Sequence, residues 1–254
     1  MHRQCVNLGG AQSLLLFETI PLLEQPVAVP PSLSSALGCW EARPGQIFTV
    51  KAPDGRFYRA RLQKDVDGTL WMIPFWQFTS SPESHLHITV FQALPEKERF
   101  ELILEKLTEL GVQRIVPFVS SHSITLEERD AVQKKSHRWP HVLLRAAKQS
   151  RRGMIPELSP VISFEGALKE ASENELGLML YEGNMGKREG FPVISSCRSV
   201  SIVIGPEGGF SQEEAGLAGK IGIETVGLGP RILRTETAAI AATILVQQRF
   251  GDLK

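Results

Sequence analysis

From residue 88 onward, short apolar runs alternate with stretches of helical period, and this alternation is the strongest constraint on what the chain can fold into. Residues 88–91, 112–119, 176–181, 199–204 and 224–228 read as buried strands. Between the first two, Phe100, Ile103, Leu104, Leu107 and Leu110 fall on one helical face, and Gly111 stands where a helix C-cap belongs. Ser211-Gln212-Glu213-Glu214 has the form of a capping box, so a helix opens there and fades near Gly222. Thr235 can cap a last helix, rich in Ala, Ile and Leu, over residues 236–250. Strands alternating with helices imply an α/β domain with a mostly parallel sheet. The first 80 residues differ. Strands predicted over 46–51, 56–62 and 69–74 are joined by Asp54-Gly55 and Asp67-Gly68, glycine turns typical of a small β-barrel or sheet. Residues 79–87, with Thr79, Ser80, Ser81, Pro82 and Ser84, read as a linker between domains spanning 1–78 and 88–254.

Composition narrows the class further. The chain has 254 residues, 42% of them hydrophobic, which excludes disorder over most of its length. No apolar run approaches the ~20 residues that span a bilayer, so no membrane association is expected. Three distant cysteines suit neither a disulfide framework nor a zinc site, and a cytoplasmic location is the expectation. Basic and acidic residues balance at 28 each, but residues 131–154 carry Lys134, Lys135, Arg138, Arg145, Lys148, Arg151 and Arg152 with no Asp or Glu. That window is either a solvated helix face or a local phosphate footprint. His137 and His141 lie four apart with Pro140 between them and no third ligand nearby, so no metal site is predicted.

Two glycine-rich loops follow predicted strands. One runs Gly205-Pro206-Glu207-Gly208-Gly209-Phe210-Ser211; the other runs Leu228-Gly229-Pro230-Arg231-Ile232-Leu233-Arg234-Thr235-Glu236-Thr237-Ala238. In open α/β sheets ligands gather at the carboxyl ends of strands, and glycine lets the main chain approach them. Each loop alone could be a tight turn; the pair, the second with two arginines and a glutamate, points to a binding site. Neither is a P-loop or a Rossmann fingerprint.

These two loops together resemble the ribosomal RNA small subunit methyltransferase E family. Supporting matches are Thr108-Glu109-Leu110-Gly111-Val112, Gln149-Ser150 with Arg152 and Pro156, and Arg249-Phe250-Gly251-Asp252-Leu253, so the resemblance covers roughly residues 86–253 and weakens before them. It implies a SPOUT-type domain, a parallel-sheet α/β fold with a deep trefoil knot, preceded by a PUA-like, RNA-binding β-barrel. It further implies a homodimer, S-adenosylmethionine as cofactor, and methylation of N3 of a uridine in 16S ribosomal RNA, within the assembled small ribosomal subunit.

On that resemblance, Leu180, Ile204, Leu228 and Leu233 would wall an adenine, and Gly205, Gly208 and Gly229 would bring the main chain close, with Pro206, Arg234, Thr235 and Ala238 completing the cofactor site. Glu207 and Glu236 could face the sulfonium; each could instead cap a helix or pair with Arg231 or Arg234. Arg152, Arg231 and Arg234 suit stabilisation of a uridinate anion, and Glu236 is a candidate base. The alanines of the last helix permit either a tight dimer contact or packing on the chain's own sheet. Glu41, His122 and Lys148 depart from the family pattern at positions expected to touch RNA. Two other functions fit the same features: ribose 2′-O methylation of RNA, or a non-catalytic RNA-binding or ribosome-assembly protein.

Overall fold

The computed structural model describes residues 9–95, 99–132, 136–184 and 196–253. Its first part is an antiparallel sheet of β1 (Val27–Ala28), β2 (Ile47–Lys51), β3 (Phe57–Lys64) and β4 (Leu70–Gln77), in the order β1-β4-β3-β2, with a short helix α1 (Ser34–Cys39). The period-two pattern explains its two faces. Phe48, Val50, Tyr58, Ala60, Leu62 and Met72 point inward and are buried. The tight turns form where Asp-Gly placed them, with Gly55 at φ 85° and Gly68 at φ 94°, conformations that glycine adopts without steric cost.

The second part is a parallel sheet. Its elements in chain order are β5 (His87–Ala93), α2 (Arg99–Glu109), β6 (Arg114–Val119), α3 (Leu126–Val132), α4 (Trp139–Gln149), β7 (Glu157–Leu158), β8 (Ile162–Ser163), α5 (Phe164–Ala171), β9 (Leu176–Leu180), β10 (Ser199–Ile204), α6 (Gln212–Lys220), β11 (Glu224–Val226) and α7 (Thr235–Phe250). Strands run β11-β9-β10-β5-β6-β7, and β8 also pairs with β6. Helices cover both faces. Ile88 and Val90 share a core with Phe100, Ile103, Leu104 and Leu107 of α2, Leu143 of α4, and Ala239, Ala242 and Val246 of α7. Phe91 and Ala93, of opposite parity on the same strand, pack instead with Phe164 and Leu168 of α5 and Ala215 and Ala218 of α6. A sheet buried on both faces explains why its strands read as continuous apolar runs.

Residues 151–155 join the two parts. Arg152, 3% exposed, donates through Nε and Nη2 to the Glu83 carboxylate at 2.7–2.9 Å and through Nη1 to the carbonyls of Thr108 and Val112. Gly153 and Met154 N–H also donate to Glu83, the Thr49 hydroxyl donates to the Arg151 carbonyl, and Ile155 N–H donates to Ser13 Oγ. The Arg152 guanidinium and the N–H groups of Gly153, Met154 and Ile155 are therefore satisfied by groups distant in sequence, while the Arg151 and Arg152 N–H groups donate to the nearby Lys148 and Ala147 carbonyls.

The capping box at Ser211 forms with both of its reciprocal bonds. The last helix begins differently from the sequence expectation. Thr235 is its first residue rather than its cap; Arg234 takes the N-cap position with extended backbone and no side-chain cap bond. The Thr235 hydroxyl has other partners, described next.

A candidate cofactor cleft at the strand ends

Strands β9, β10 and β11 are neighbours in the sheet and parallel, so the segments that leave them emerge on one edge. Those segments enclose a solvent-open cleft with an empty volume of about 670 Å³. Leu180, Ile204, Leu228 and Leu233 supply apolar walls. Gly205, Pro206 and Glu207 line it from the first glycine loop, and Gly229 and Arg231 from the second, while Thr235 and Ala238 present the start of α7.

The two loops are tied at their base. Thr235 Oγ1 donates to the Gly205 carbonyl at 2.6 Å and accepts from Gln92 Nε2 at 2.9 Å. One hydroxyl thus fastens the end of β5, the loop after β10 and the first turn of α7. Gly205 leaves little space for a side chain, since a Cβ there would meet the Phe210 ring at 3.2 Å. Phe210 is itself buried and lies parallel to Phe118, with ring centroids 6.3 Å apart. Thr235→Val would leave the Gly205 carbonyl and the Gln92 amide without this partner. We expect a loss of about 1–3 kcal/mol in unfolding free energy, measured by urea titration; an unchanged midpoint would show that the clamp contributes nothing.

Four expected site residues do not line the cleft. Arg152 is buried against Glu83, with all its bonds internal. Arg234 is exposed at the helix start and its carbonyl accepts from Ala238 N–H. Glu236 is half-buried, and its Oε2 is buried without a hydrogen-bond partner. Gly208 turns toward His122, whose Cβ a side chain there would meet at 2.9 Å. Glu207, at the lip of the cleft, pairs with Arg99 at 3.0 Å. Arg231 is exposed at the lip.

Sequence reasoning missed Tyr181, Glu182, Phe210, Gly227 and Ile232, which also line the cleft. Tyr181 and Glu182 follow a strand with no glycine signature; only their position after β9, beside the strand bearing the first loop, could have pointed to them. The three departures from the family pattern have local partners. His122 Nδ1 lies 3.3 Å from the Gly209 carbonyl, Glu41 pairs with His141 Nδ1 at 3.1 Å, and Lys148 Nζ lies 5.8 Å from the Phe48 ring centre. Burial pushes the Lys148 ammonium below its ordinary pKa.

The model of the RNA methyltransferase domain family matches residues 82–247. A ribosomal RNA small subunit methyltransferase E from Mycobacterium bovis is 32% identical over 206 residues, covering 79% of this chain and 77% of its own length. The chain belongs to the ribosomal RNA small subunit methyltransferase E family. The family member from Bacillus subtilis is 34% identical over 166 residues, which are 63% of this chain and 65% of that protein, so the match spans just under two thirds of the relative. Among solved structures, the methyltransferase E from Neisseria gonorrhoeae bound to S-adenosylmethionine superposes with a TM-score of 0.67 at 30% identity. That likeness covers 94% of this chain and 98% of the other. Within this family the antiparallel sheet is thus included in the structural likeness, beyond the segment that the family model matches.

Proposed function

We propose that this chain binds S-adenosylmethionine in the cleft at the ends of β9, β10 and β11 and transfers its methyl group to N3 of a uridine in 16S ribosomal RNA of the small subunit. One observation carries this reading: both glycine loops, which leave strands β10 and β11 on either side of β9, are tied into a single cleft by Thr235. The residues present fit the cofactor. The cleft opens at the carboxyl ends of parallel strands, where ligands of open α/β sheets gather, its walls are aliphatic, and residues 227–234 lie outside any helix or strand, leaving main-chain groups to recognise an adenine edge. The solved relative from Neisseria gonorrhoeae, whose chain is matched almost throughout, is a complex with that cofactor.

When bound, S-adenosylmethionine supplies an electrophilic methyl group on a sulfonium. The chain's own contribution is placement, since in-line transfer depends on holding the two reactants in register. Leu180, Leu228 and Leu233 exclude water from the adenine side. Arg231, at the lip, stabilises the uridinate that forms as the N3 proton leaves, because a guanidinium stays charged at neutral pH. For Glu236 to accept that proton, its carboxylate must turn from its buried position toward the lip.

The same reading extends to architecture. We assign residues 1–78 to a PUA-like barrel, 79–87 to a linker and 88–254 to a knotted SPOUT domain. The knot is supported by the path of residues 227–234, which run from the edge strand β11 back to α7, packed on α2 and β10. A homodimer is supported by Ile244 and Leu245, 41% and 38% exposed on α7. No helix among the described residues is long and apolar enough to cross a membrane, and we place the protein with its RNA in the cytoplasm. Calorimetry with S-adenosylmethionine tests the reading: saturable binding by the full chain supports it, and absence of heat at high protein concentration removes it.

A further inference from the structure

The antiparallel sheet leaves a slot between its two edges, and none of the residues lining it borders the cofactor cleft. One wall is the edge strand β1, with Val27 and Ala28. The other is the extended stretch of Leu16, Phe17 and Glu18, which lies along β2 at the opposite edge through a parallel bridge from Leu16 to Lys51. Met72 of β4, buried, also lines the slot.

Both walls present unused main-chain groups to this slot. On the first wall, Val27 stands opposite Met72 and Ala28 opposite Trp71, and Val29 N–H donates to the Leu70 carbonyl at 3.0 Å. Hydrogen-bonded and non-bonded residues alternate along an antiparallel pair, so the N–H and C=O of Ala28 point away from β4. On the second wall, Phe17 N–H donates to the Lys51 carbonyl and Lys51 N–H donates to the Leu15 carbonyl. Those two bonds turn the N–H and C=O of Leu16 away from β2. Among the described residues, no main-chain hydrogen bond of Leu16 or Ala28 crosses the slot. Unpaired edges of this kind are templates for a further strand.

Side chains and charge say what kind of strand fits. Leu16 and the nearby Ile20, Leu22 and Leu23, from the connection between the walls, are between 45% and 72% exposed, an apolar rim that a partner would cover. Residues 9–42 contain Glu18, Glu24 and Glu41 and no Lys, Arg or His. Among the described residues, neither Glu18 nor Glu24 takes part in an ion pair. Lys51, whose main chain supports the second wall, turns its Nζ over the Phe57 ring at 5.7 Å. Free carboxylates beside the slot repel phosphate and attract ammonium or guanidinium groups.

We propose that this slot binds an extended peptide that carries apolar and basic side chains in alternation. The peptide adds a strand between β1 and residues 16–18, its main chain pairing with Ala28 and Leu16. Its apolar side chains face Met72 and Val27, and its basic ones meet Glu18 and Glu24. Main-chain pairing supplies affinity and the alternate side chains supply selectivity, as in other strand additions. The proposal stands apart from the methyl-transfer reading, and failure of S-adenosylmethionine binding would leave it untouched.

The test uses the full chain and a fluorescein-labelled peptide of alternating valine and lysine, about eight residues long, the length of an ordinary strand. Saturable binding by fluorescence anisotropy is expected. Ala28→Pro removes the outward N–H from an edge strand, where proline is tolerated, and should weaken binding by about tenfold or more, the equivalent of one net hydrogen bond. Glu18→Gln, at an exposed side chain, should weaken binding and reduce its salt dependence. Because the proline variant could misfold, amide exchange of the isotope-labelled wild-type chain gives a second readout: the peptide should protect the Leu16 and Ala28 N–H groups. Absence of binding, wild-type affinity in both variants, or no protection at Leu16 and Ala28 would overturn the proposal. Equal binding of a valine–glutamate peptide would overturn it, as would displacement of the bound peptide by a uridine-rich RNA oligonucleotide. Sedimentation showing that Ala28→Pro lowers the oligomeric state would assign the slot to a second copy of the chain and overturn it too.

Discussion

Glu83→Ala is expected to lower the unfolding free energy by about 3–5 kcal/mol, the cost of leaving a buried charge without its partner. The Arg152 side chain is 2% exposed, so water cannot replace the carboxylate. The same substitution strips Gly153 and Met154 N–H of their acceptor. Urea unfolding followed by tryptophan fluorescence measures the effect. The double variant Glu83→Leu with Arg152→Met should recover part of the loss, because a buried pair can often be exchanged for apolar side chains of similar volume. A loss under about 1 kcal/mol for Glu83→Ala, in the range of an exposed pair, would show that residues 151–155 do not depend on this anchor.

Gly229→Val should reduce S-adenosylmethionine affinity by about 100-fold or more, equivalent to roughly 2.7 kcal/mol. Gly229 has φ 99°, which a β-branched residue does not adopt without strain, and its Cβ position has no atom within 4 Å. A valine there either turns the loop out of place or projects into the space around it. Strain of about 1–3 kcal/mol also lowers stability, so a matched control is needed. Gly45→Val provides one, since Gly45 has φ 89°, equally open surroundings and no place in the cleft. It should lose comparable stability and keep wild-type cofactor affinity. Equal affinity losses in both variants, or none in Gly229→Val, would detach the second glycine loop from cofactor binding.

The long elements were legible because their signals are local. The apolar face of α2, with Gly111 at φ 82° after it, and the reciprocal bonds at Ser211 depend on neighbours within a turn. Strands β1, β7 and β8, of two residues each, are too short to show a period. The helix α5 was missed although Phe164, Ala167, Leu168 and Ala171 carry the right spacing and Ser163 caps it.

The site was legible in its loops and not in its charges. Gly205, Gly229 and Thr235 reach the cleft because loops at neighbouring strand ends must converge. Arg152 looked like a free cation in an acid-free window, but its partner lies 69 residues away in sequence. Thr235 looked like a cap because its side chain suits one, whereas its hydroxyl is taken by Gly205 and Gln92, partners that only the folded sheet brings near.

The most direct measurement is to incubate the chain with methyl-labelled S-adenosylmethionine and small ribosomal subunits that lack the modification, then digest the RNA and identify the labelled nucleoside by mass spectrometry. Label on the base as N3-methyluridine is the expected result. Label on a ribose, or none while the cofactor is demonstrably bound, would contradict the account.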